Sequence, residues 1–512
     1  MKSKIVLLAS VLAVFVMINV YAGGRRDAGE RTRTDRLIVA YAADPISLDP
    51  VMSNSTPDLT VMSLIYSTLT HLDYDLVPQP GLAYRWSWDA PDRLRLFLRR
   101  DVRFHNGDLM TAADVKFSLE RAAASPFVSH LAGMIRSVDI INDFEVAVNT
   151  HGPFAPLLNN LGLVALSVVN ERHVRAVGDE GSMRNPIGSG PYRFVSRVAG
   201  DRLEFVRFEN YFGPPAKIPN LTIRIITDDA TRLLELETGG VDIIQRIQPS
   251  DISRVENHPH MTLHREMNLA VNFIGMNLSR PPFNDLRVRQ AIAHAIDLDA
   301  MVRAVYMGTG SVATGPINPR VWASIADELP RIPFNPARSR QLLAEAGFPN
   351  GFHTTFITNE NAVRIDTGEI LQNMLAQVGI TMDVRILEWG AILDTTARGD
   401  HEMFMLGWVT LTGDPDYGLY STFHSRNHGE PGNRAFYTNH EVDRLLDAGR
   451  RETDPARRRE LYAQAQRIIH SEIPWIWQQF GEELFASRHD VRGFRINPTM
   501  FHRLQDVYFA TP

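Results

Sequence analysis

The chain has 512 residues, of which 44% are hydrophobic, 22% charged and 9% aromatic, the composition of a globular protein of two or three domains. Its formal net charge of −6 provides no basic surface for nucleic acid, so we expect no nucleic-acid partner. The absence of cysteine excludes disulfides and a lipidated N-terminal cysteine, so the protein is not a lipoprotein.

The first 22 residues predict a secretory signal peptide. Two lysines precede an apolar stretch over residues 5–20, and small residues follow up to Ala22. This stretch is shorter than the roughly 20 residues that a membrane span needs, and it contains two polar residues. We therefore expect cleavage and export to the periplasm rather than a retained anchor. Residues 23–36 are polar and charged, which predicts a flexible lead-in.

Strand and helix patterns alternate along the rest of the chain. The first strand lies in "LIVAYAADPISLDP" (37–50), where an apolar run ends in a cluster of Pro, Asp and Ser. Further strands are predicted at "LRLFLRR", "EVAVNT", "RLEFVRF", "TMDVRIL" and "MFMLGWV". Helices are predicted at "TAADVKFSLERAA", "DDATRLLELETGG", residues 284–306, "ARSRQLLAEAGF", "TGEILQNMLAQVG" and "DPARRRELYAQAQRIIH". This alternation in both halves favours an α/β fold with mixed sheets.

Sequence motifs of catalysis are missing. The chain has no Walker phosphate loop, no serine-nucleophile elbow and no HExxH zinc helix. The glycines of "PIGSGPYRF" (186–194) lack a following Lys-Ser/Thr and predict a tight turn that leads into a strand. The histidines lack the spacing of metal ligands. We therefore predict a protein that is not an enzyme, without catalytic residues, metal site or cofactor.

The stretch "GWVTLTGDPDYG" (407–418) has two interpretations. Asp414 and Asp416 flank a proline, and aspartates in such positions cap turns and helix N-termini. The alternative is a direct contact of either carboxylate with a ligand. Metal binding by this pair alone is disfavoured, because no further ligands lie nearby in the sequence. Trp408 fits a core position and a cleft-lining position equally well.

Five stretches occur in the order and approximate spacing of a known family. They are "VRFHNGDLMTAADVKFSLERA" (102–122), "NPIGSGPYRF", "PPFNDLRVRQAIAHAIDLDAM" (281–301), "GNRAFYTNHEVDRLL" and "IPWIWQQF". Together they resemble the extracytoplasmic solute-binding proteins of ABC importers, family 5, the peptide/nickel-type group. The resemblance extends over nearly the whole mature chain, from about residue 37 to residue 509.

The resemblance implies a two-lobed periplasmic-binding-protein fold of type II, in the large cluster C group. Lobe I would span 37–268, with an inserted subdomain at about 66–185. Lobe II would span 269–483, and residues 484–512 would return to lobe I. Two chain crossings would form a hinge, and a solute bound between the lobes would close it and allow recognition by a permease. We expect a monomer with two partners, the solute and an ABC permease in the inner membrane.

In peptide-binding relatives, the strand ending in Gly-Trp runs beside the bound peptide backbone. An Asp three residues after that Trp pairs with the amino terminus of the peptide. Here this position is Leu411, which cannot neutralise the ammonium that such a site buries. Val409 and Thr410 still offer backbone hydrogen bonds. Leu411 therefore argues against a free amino-terminal peptide held in the usual way.

Further candidate ligand contacts follow from the matched motifs. The loop after the first strand carries Asp44, Ile46 and Ser47 on the lobe I side of the expected cleft. Phe127 occupies a position where peptide binders often place a Tyr, and it keeps the apolar ring without the hydroxyl. Asn272, on the strand that crosses between the lobes, suits a hydrogen bond to the solute and a structural bond at the hinge equally well.

The predicted function is therefore the substrate-binding component of an ABC transporter, with oligopeptide as the leading solute. A protein of the same fold that binds an oligosaccharide or a small conjugate such as glutathione is the first alternative. Two alternatives belong to other classes. One is a hydrolase that uses the carboxylates of Asp414 and Asp416, and the other is an envelope adhesin with a filled cleft.

Overall fold

The computed structural model describes residues 35–510. The predicted signal peptide and nearly all of the predicted lead-in lie outside this range. The first strand begins at Arg36, which is the last residue that the sequence assigned to the lead-in. Between residues 35 and 510, no helix combines the length and the apolarity that crossing a membrane requires.

The described residues form nineteen strands, numbered here in chain order. They are β1 Arg36–Tyr41, β2 Thr70–Leu72, β3 Pro78–Pro80, β4 Ala83–Ala90, β5 Arg93–Leu98, β6 Ile135–Asn142, β7 Glu145–Thr150, β8 Tyr192–Val198, β9 Arg202–Arg207, β10 Asn220–Ile225, β11 Ile243–Gln245, β12 Met261–Met276, β13 Ser311–Val312, β14 His353–Asn359, β15 Thr381–Leu387, β16 Met403–Val409, β17 Trp475–Arg488, β18 Val491–Arg492 and β19 Tyr508–Phe509.

Fifteen α-helices lie between these strands in the described part of the chain. They are α1 Thr56–Ile65, α2 Ala112–Ala124, α3 Ser129–Ala132, α4 Leu157–Asn160, α5 Glu171–Arg184, α6 Asp229–Glu237, α7 Ile252–Glu256, α8 Leu286–Ala295, α9 Leu298–Tyr306, α10 Pro336–Glu345, α11 Ala362–Ala376, α12 Trp389–Arg398, α13 Pro415–Phe423, α14 His440–Arg451 and α15 Pro455–Glu472.

One large mixed sheet runs through the molecule in the order β15-β14-β16-β12-β17-β11-β1-β10-β9-β8, and β13 pairs with β17. β1 pairs in parallel with β10 and β11, and β14 pairs in parallel with β15 and β16, whereas β12 and β17 are antiparallel. A separate antiparallel sheet has the order β4-β5-β7-β6. The predicted α/β class with mixed sheets is confirmed.

Two long strands, β12 and β17, connect the two ends of the large sheet. One end, with β1 and β8–β11, is called here the first lobe together with the small sheet, and the end with β14–β16 is called the second lobe. The register of β12 against β17 shifts between Met267 and Val271, and Asn268 lies within this irregular stretch. Its side-chain oxygen accepts a hydrogen bond from the backbone of Ala270 at 2.8 Å. Such a bulge interrupts the ladder at the point where the chain passes from one lobe to the other.

Several local predictions agree with the structure. The carboxylate of Asp114 accepts a hydrogen bond from the backbone of Thr111 at 2.9 Å, as the predicted capping box requires. The glycine-rich turn leads into β8, and Gly190 donates to the carbonyl of Ile65 at the end of α1 at 2.8 Å.

The helical pattern over residues 284–306 contains two helices, α8 and α9, rather than one continuous helix. The first helix ends at Ala295, and Asp297 begins the second by accepting a hydrogen bond from the backbone of Ala300 at 2.9 Å. Apolar spacing continues across the break, so it does not reveal the new cap.

Candidate functional site

The two lobes contact each other directly. The indole nitrogen of Trp389, at the start of α12 in the second lobe, donates to the hydroxyl of Ser55 in the first lobe at 3.3 Å. On another part of the same interface, the side-chain amide of Asn159 donates to the carbonyl of Thr412 at 2.9 Å. The lobes are therefore closed on each other, and the space between them is a cleft with walls from both sides.

A polar pocket of about 140 Å³ is lined by residues of β12 and β17, the two strands that run from one lobe into the other, and by residues of both lobes around them. We call it the hinge pocket. Its walls carry mostly side chains that donate or accept hydrogen bonds, and they come from both lobes. The polar lining residues are Arg246, Gln248, Asn272, Tyr306, Thr309, Asn361, Arg364, Gln479, Glu482 and Glu483. Such a lining suits a polar group of a small solute.

Several ionisable groups of the hinge pocket have shifted pKa values, among them Arg364 and Glu483. Arg364 donates to the side-chain oxygen of Asn359 at 2.8 Å, and burial lowers the pKa of its guanidinium to about 10. Burial also raises the pKa of Glu483 to about 7, although the amide of Asn268 donates to this carboxylate at 3.3 Å. The lining of the pocket thus includes a guanidinium that is charged at neutral pH and a carboxyl group that ionises only near neutrality.

The strand β16 ends beside this pocket, and part of its outer edge has no partner strand. Its inner edge pairs with β12, with Trp408 opposite Val271. β14 pairs with β16 only at Met403 and Phe404. The edge from about Gly407 onward is therefore free of strand pairing among the described residues.

The pairing pattern also orients the backbone of this edge. Thr410 donates to the carbonyl of Leu269 across the ladder at 3.2 Å, so Trp408, two residues earlier, also directs its backbone groups toward β12. Gly407 and Val409 alternate with these residues and direct theirs to the open edge. A Cβ at position 407 would lie 2.6 Å from the side-chain oxygen of Asn272. The glycine therefore leaves space for the side chain of Asn272.

Leu411 lies inside an apolar core that belongs mainly to the first lobe. Its side chain is 1% exposed, and it lines a cavity of about 400 Å³ together with Tyr66 and Thr499. Trp408 is half-buried, with its ring 5.3 Å from that of Tyr417, and its indole N–H is buried with no acceptor among residues 35–510. The structure therefore places Leu411 and Trp408 where the two lobes pack together.

The carboxylates of Asp414 and Asp416 are buried and already accept hydrogen bonds from other residues of the protein. Asp414 caps α13 by accepting a hydrogen bond from the backbone of Asp416 at 2.9 Å, and both of its oxygens accept from Arg458 at 2.7 Å. Asp416 accepts from Arg450 at 3.0 Å and from the hydroxyl of Tyr462 at 3.3 Å. Burial raises the pKa of Asp416, against the opposing effect of Arg450. These contacts hold α13 to the helices α14 and α15.

In the loop after β1, two of the three predicted residues make their contacts within the first lobe. Asp44 pairs with Arg197 at 2.9 Å. Ser47 is buried, and its backbone donates to the carboxylate of Asp58 at 3.1 Å. The carboxylate of Asp44 and the backbone of Ser47 thus hold the loop in place within the first lobe.

The remaining predicted residues lie closer to the space between the lobes. Ile46 is 53% exposed, and its end is 3.8 Å from the Cβ position of Gly390 on α12 of the other lobe. Phe127 is half-buried against the core of the first lobe. Asn272 lines the hinge pocket and donates to the side-chain oxygen of Gln479 at 2.8 Å. The structure thus brings Asn272, but not the aspartates, into the hinge pocket.

The sequence analysis missed Arg364, Gln479 and Tyr306, which line the hinge pocket with Asn272. Arg364 follows Glu360 by four residues, the spacing of an ion pair on a helix. The helix α11 begins only at Ala362, so this spacing does not bring the two charges together. No local signal marks the residues on β17 and α9.

Groups of three or more His, Cys, Asp or Glu side chains placed to hold a metal ion do not occur within residues 35–510.

Comparisons with known proteins agree with this geometry. Residues 77–430 match the family described as bacterial extracellular solute-binding proteins, family 5. The heme-binding protein A of Haemophilus influenzae is 30% identical over 430 residues, covering 78% of each chain. The glutathione-binding protein GsiB of Pectobacterium atrosepticum is 29% identical over 483 residues, covering 92% of this chain and 93% of the other.

A solved structure shows the same architecture. The ABC transporter-associated periplasmic binding protein DppA from Helicobacter pylori, in complex with the peptide STSA, superposes with a TM-score of 0.88. It is 26% identical, and the match covers 93% of this chain and 98% of the other. The predicted two-lobed fold and family are confirmed, and the chain belongs to the bacterial extracellular solute-binding proteins of family 5, which serve as substrate-binding components of ABC importers.

Proposed function

We propose that this chain captures a short, peptide-like solute in the interlobe cleft and delivers it to its permease. The observation that carries the proposal is the open edge of β16, where the backbone groups of Gly407 and the N–H of Val409 have no partner strand among the described residues. The carbonyl of Val409 already accepts a hydrogen bond from the backbone of Leu411 at 2.8 Å. An extended peptide adds to such an edge as one further strand. Its backbone then supplies the hydrogen bonds, while pockets select the side chains.

Three of the predicted residues suit direct contact with this solute. Val409 offers its backbone N–H, Trp408 flanks the same edge with a half-buried ring, and Asn272 reaches the hinge pocket. Ile46 would cover the solute from the first lobe, because it projects toward α12. A water-free cleft strengthens each of these hydrogen bonds.

The other predicted residues suit a supporting role. The carboxylate of Asp44 and the backbone of Ser47 fix the loop that carries Ile46. Asp414 and Asp416 fix the chain that follows Thr410 through buried ion pairs. Both carboxylates are matched by guanidinium groups, so we assign them no acid–base chemistry and do not favour a hydrolase.

The similar proteins support a solute with amide bonds. The DppA structure contains a peptide, and the GsiB proteins are named for glutathione. A small conjugate such as glutathione is therefore the second candidate. We further propose that the mature chain works as a monomer in the periplasm after cleavage of its signal peptide, with residues 269–483 as the second lobe.

Native mass spectrometry of the mature protein tests the proposal. We expect a co-purified mass that corresponds to a short peptide or peptide-like conjugate, and that is released when the protein is denatured. Small-angle X-ray scattering should show a smaller radius of gyration after this solute is added to stripped protein, because solute closes the cleft. A bound sugar, or an unchanged radius with every short peptide supplied, would contradict a peptide-like solute.

A further inference from the structure

We propose that the first lobe contains a second binding site, which takes a small aromatic anion such as an aryl carboxylate. The site is the cavity of about 400 Å³ that Leu411 lines, called here the first-lobe cavity. This inference goes beyond the proposed function, because it concerns a space other than the one that would hold the transported solute. Three features support it: the aromatic walls of the cavity, an arginine without a counter-ion and an imidazole N–H without an acceptor.

Most of the wall of the first-lobe cavity comes from three segments of the first lobe. They are the end of α1 with the chain that follows it to β4, the loop 211–214 after β9 and the C-terminal segment 497–505. Leu411 is the one lining residue that belongs to the second lobe. The cavity shares no lining residue with the hinge pocket, and none of Ile46, Asn272, Trp408 and Val409 lines it. It is therefore separate from the proposed solute contacts.

The size and the aromatic walls of the cavity suit a flat organic molecule. Its volume of about 400 Å³ falls in the range of pockets that hold small ligands, roughly 300–1,000 Å³. The Phe and Tyr rings of the lining are Tyr66, Tyr211, Phe212 and Phe501. The rings of Tyr211 and Phe212 lie 4.8 Å apart, and rings in such an arrangement offer faces and edges to a further aromatic ring.

The charged residues of the lining favour an anion. The lining includes Arg99 and Arg503 and neither Asp nor Glu. Arg503 is already paired with Asp506 at 2.8 Å. Among residues 35–510, no carboxylate oxygen lies within 4.0 Å of the guanidinium of Arg99, which donates through Nε to the carbonyl of Gly81 at 2.9 Å and lies 5.3 Å from the ring of Phe212. The terminal N–H groups of Arg99 are therefore available to an anionic ligand.

The imidazole of His502 supplies a further donor to the same cavity. Its Nδ1 accepts a hydrogen bond from the backbone N–H of Asn497 at 3.2 Å, which places the ring proton on Nε2. Burial lowers the pKa of His502 to about 3, so the ring is neutral at physiological pH. His502 is 4% exposed, and within the described range 35–510 no group accepts from Nε2–H. A ligand oxygen in the cavity would satisfy this donor.

These groups together define the class of ligand. A carboxylate on an aromatic ring offers lone pairs to Arg99 and His502, while the ring contacts Phe212 and its neighbours. Charge-assisted hydrogen bonds of this kind are about twice as strong as neutral ones. An organic cation would be repelled by Arg99 and would find no carboxylate in the lining, and an aliphatic acid would lose the contact between rings.

Titration calorimetry of the mature protein, stripped of bound solute, tests the inference with three probes. They are 2-naphthoate, its neutral analogue 2-naphthamide, and octanoate, which has the charge without the ring. We expect 2-naphthoate to bind about 10- to 100-fold more tightly than 2-naphthamide, the difference that one charge-assisted contact provides. Octanoate should also bind more weakly than 2-naphthoate. Equal affinity of the aromatic acid and its amide overturns the inference, as does tighter binding of octanoate.

Variants of the lining locate the binding. Arg99→Gln should abolish the preference for the acid over the amide, Arg99→Lys should retain part of it, and Phe212→Leu should weaken both naphthyl probes alike. Arg100→Gln is the matched control, because Arg100 is the next residue of the chain, is exposed and lies outside the cavity lining. It should leave the preference unchanged. A preference that survives Arg99→Gln in a variant with an unchanged melting temperature overturns the inference.

A crystal structure of the wild-type protein with 2-naphthoate keeps the test independent of how the variants fold. The naphthyl ring should lie beside Phe212 with its carboxylate at Arg99. Density for the acid in the interlobe cleft, or at no site in the protein, would contradict a second binding site.

The inference and the proposed function can fail separately, because short peptides test one and an aromatic acid tests the other. A co-purified short peptide together with no binding of 2-naphthoate would leave solute capture intact and remove only the second site. Simultaneous binding of that peptide and 2-naphthoate, seen as one complex by native mass spectrometry, supports two sites. Displacement of the peptide by 2-naphthoate would place the acid in the interlobe cleft and overturn the inference.

Discussion

Arg458 holds Asp414 through two hydrogen bonds of 2.7 Å, one to each carboxylate oxygen, with both side chains buried. The pair connects the start of α13 with α15. Since α13 follows the strand that carries Trp408 by only a few residues, this ion pair fixes the chain at the end of the proposed ligand strand.

Asp414→Ala should therefore destabilise the protein strongly. It removes the cap of α13 and leaves the guanidinium of Arg458 buried without a partner, which costs about 3–5 kcal/mol in comparable pairs. Chemical denaturation monitored by circular dichroism gives the free energy of unfolding. Asp394→Ala, which removes an exposed partner of Arg398, should cost less than about 1 kcal/mol and serves as the control.

Leu411→Asp should lower the melting temperature of the solute-free protein, because it places a carboxylate in an apolar core where Leu411 is 1% exposed. A peptide with a free amino group should restore part of this loss, whereas its N-acetylated form should not. Thermal shift measurements with trialanine and N-acetyl-trialanine compare the two. An equal response to both would place Leu411 outside the reach of the solute.

Glu483→Gln should stabilise the protein at alkaline pH. The pKa of Glu483 is about 7 in the folded state, raised by burial from about 4.5, so between these values the folded protein holds a proton that the unfolded chain has lost. The stability of the wild-type protein consequently falls as pH rises through this window. The variant does not ionise, so its advantage should grow from pH 5 to pH 8, to the order of 2 kcal/mol.

Urea denaturation at pH 5 and pH 8 measures this difference. Arg246 and Tyr41 are the other charged or titratable groups that act on Glu483, and both remain in the variant. Glu482→Gln should have the opposite effect at pH 8, because Glu482 forms an ion pair with Arg265. A constant difference between wild type and Glu483→Gln over this pH range would contradict the raised pKa.

Gly188→Ala should destabilise the first lobe. A Cβ at this position would overlap the carbonyl oxygen of Ile65, a backbone atom at the end of α1 that cannot turn aside. We expect a loss of about 1–3 kcal/mol, as for other overpacked sites. Ser196→Ala, on the exposed face of the following strand, should change the free energy of unfolding by less than about 0.5 kcal/mol. Equal losses of unfolding free energy in the two variants would show that the close approach of Gly188 to Ile65 does not limit the residue at position 188.

The sequence predicted the elements whose signals are local. The strands "EVAVNT", "TMDVRIL" and "MFMLGWV" have the predicted boundaries as β7, β15 and β16, and Asp114 closes the capping box at the start of α2. Apolar alternation and a cap three residues away act over a single turn or strand, so they are readable without the fold. The order of the five motifs was also sufficient to identify the family.

The candidate site could be predicted only in part. The sequence identified the strand ending at Trp408 and the missing carboxylate at Leu411, and it placed Asn272 at the crossing between lobes. It did not identify Arg364, because the spacing from Glu360 suggests an ion pair along one helix. Only the structure shows that α11 begins after Glu360, so that this pair does not form.

By itself, the sequence determined the fold class, the family and the candidate strand, because these depend on periodicity, caps and motifs along the chain. Only the tertiary structure decided which charges are satisfied. Asp414 and its partner Arg458 are 44 residues apart, and the walls of the hinge pocket come from β12, β17, α9 and α11. Whether a charged side chain has a partner depends on which distant elements the topology brings together. Short-range sequence patterns do not show these long-range contacts.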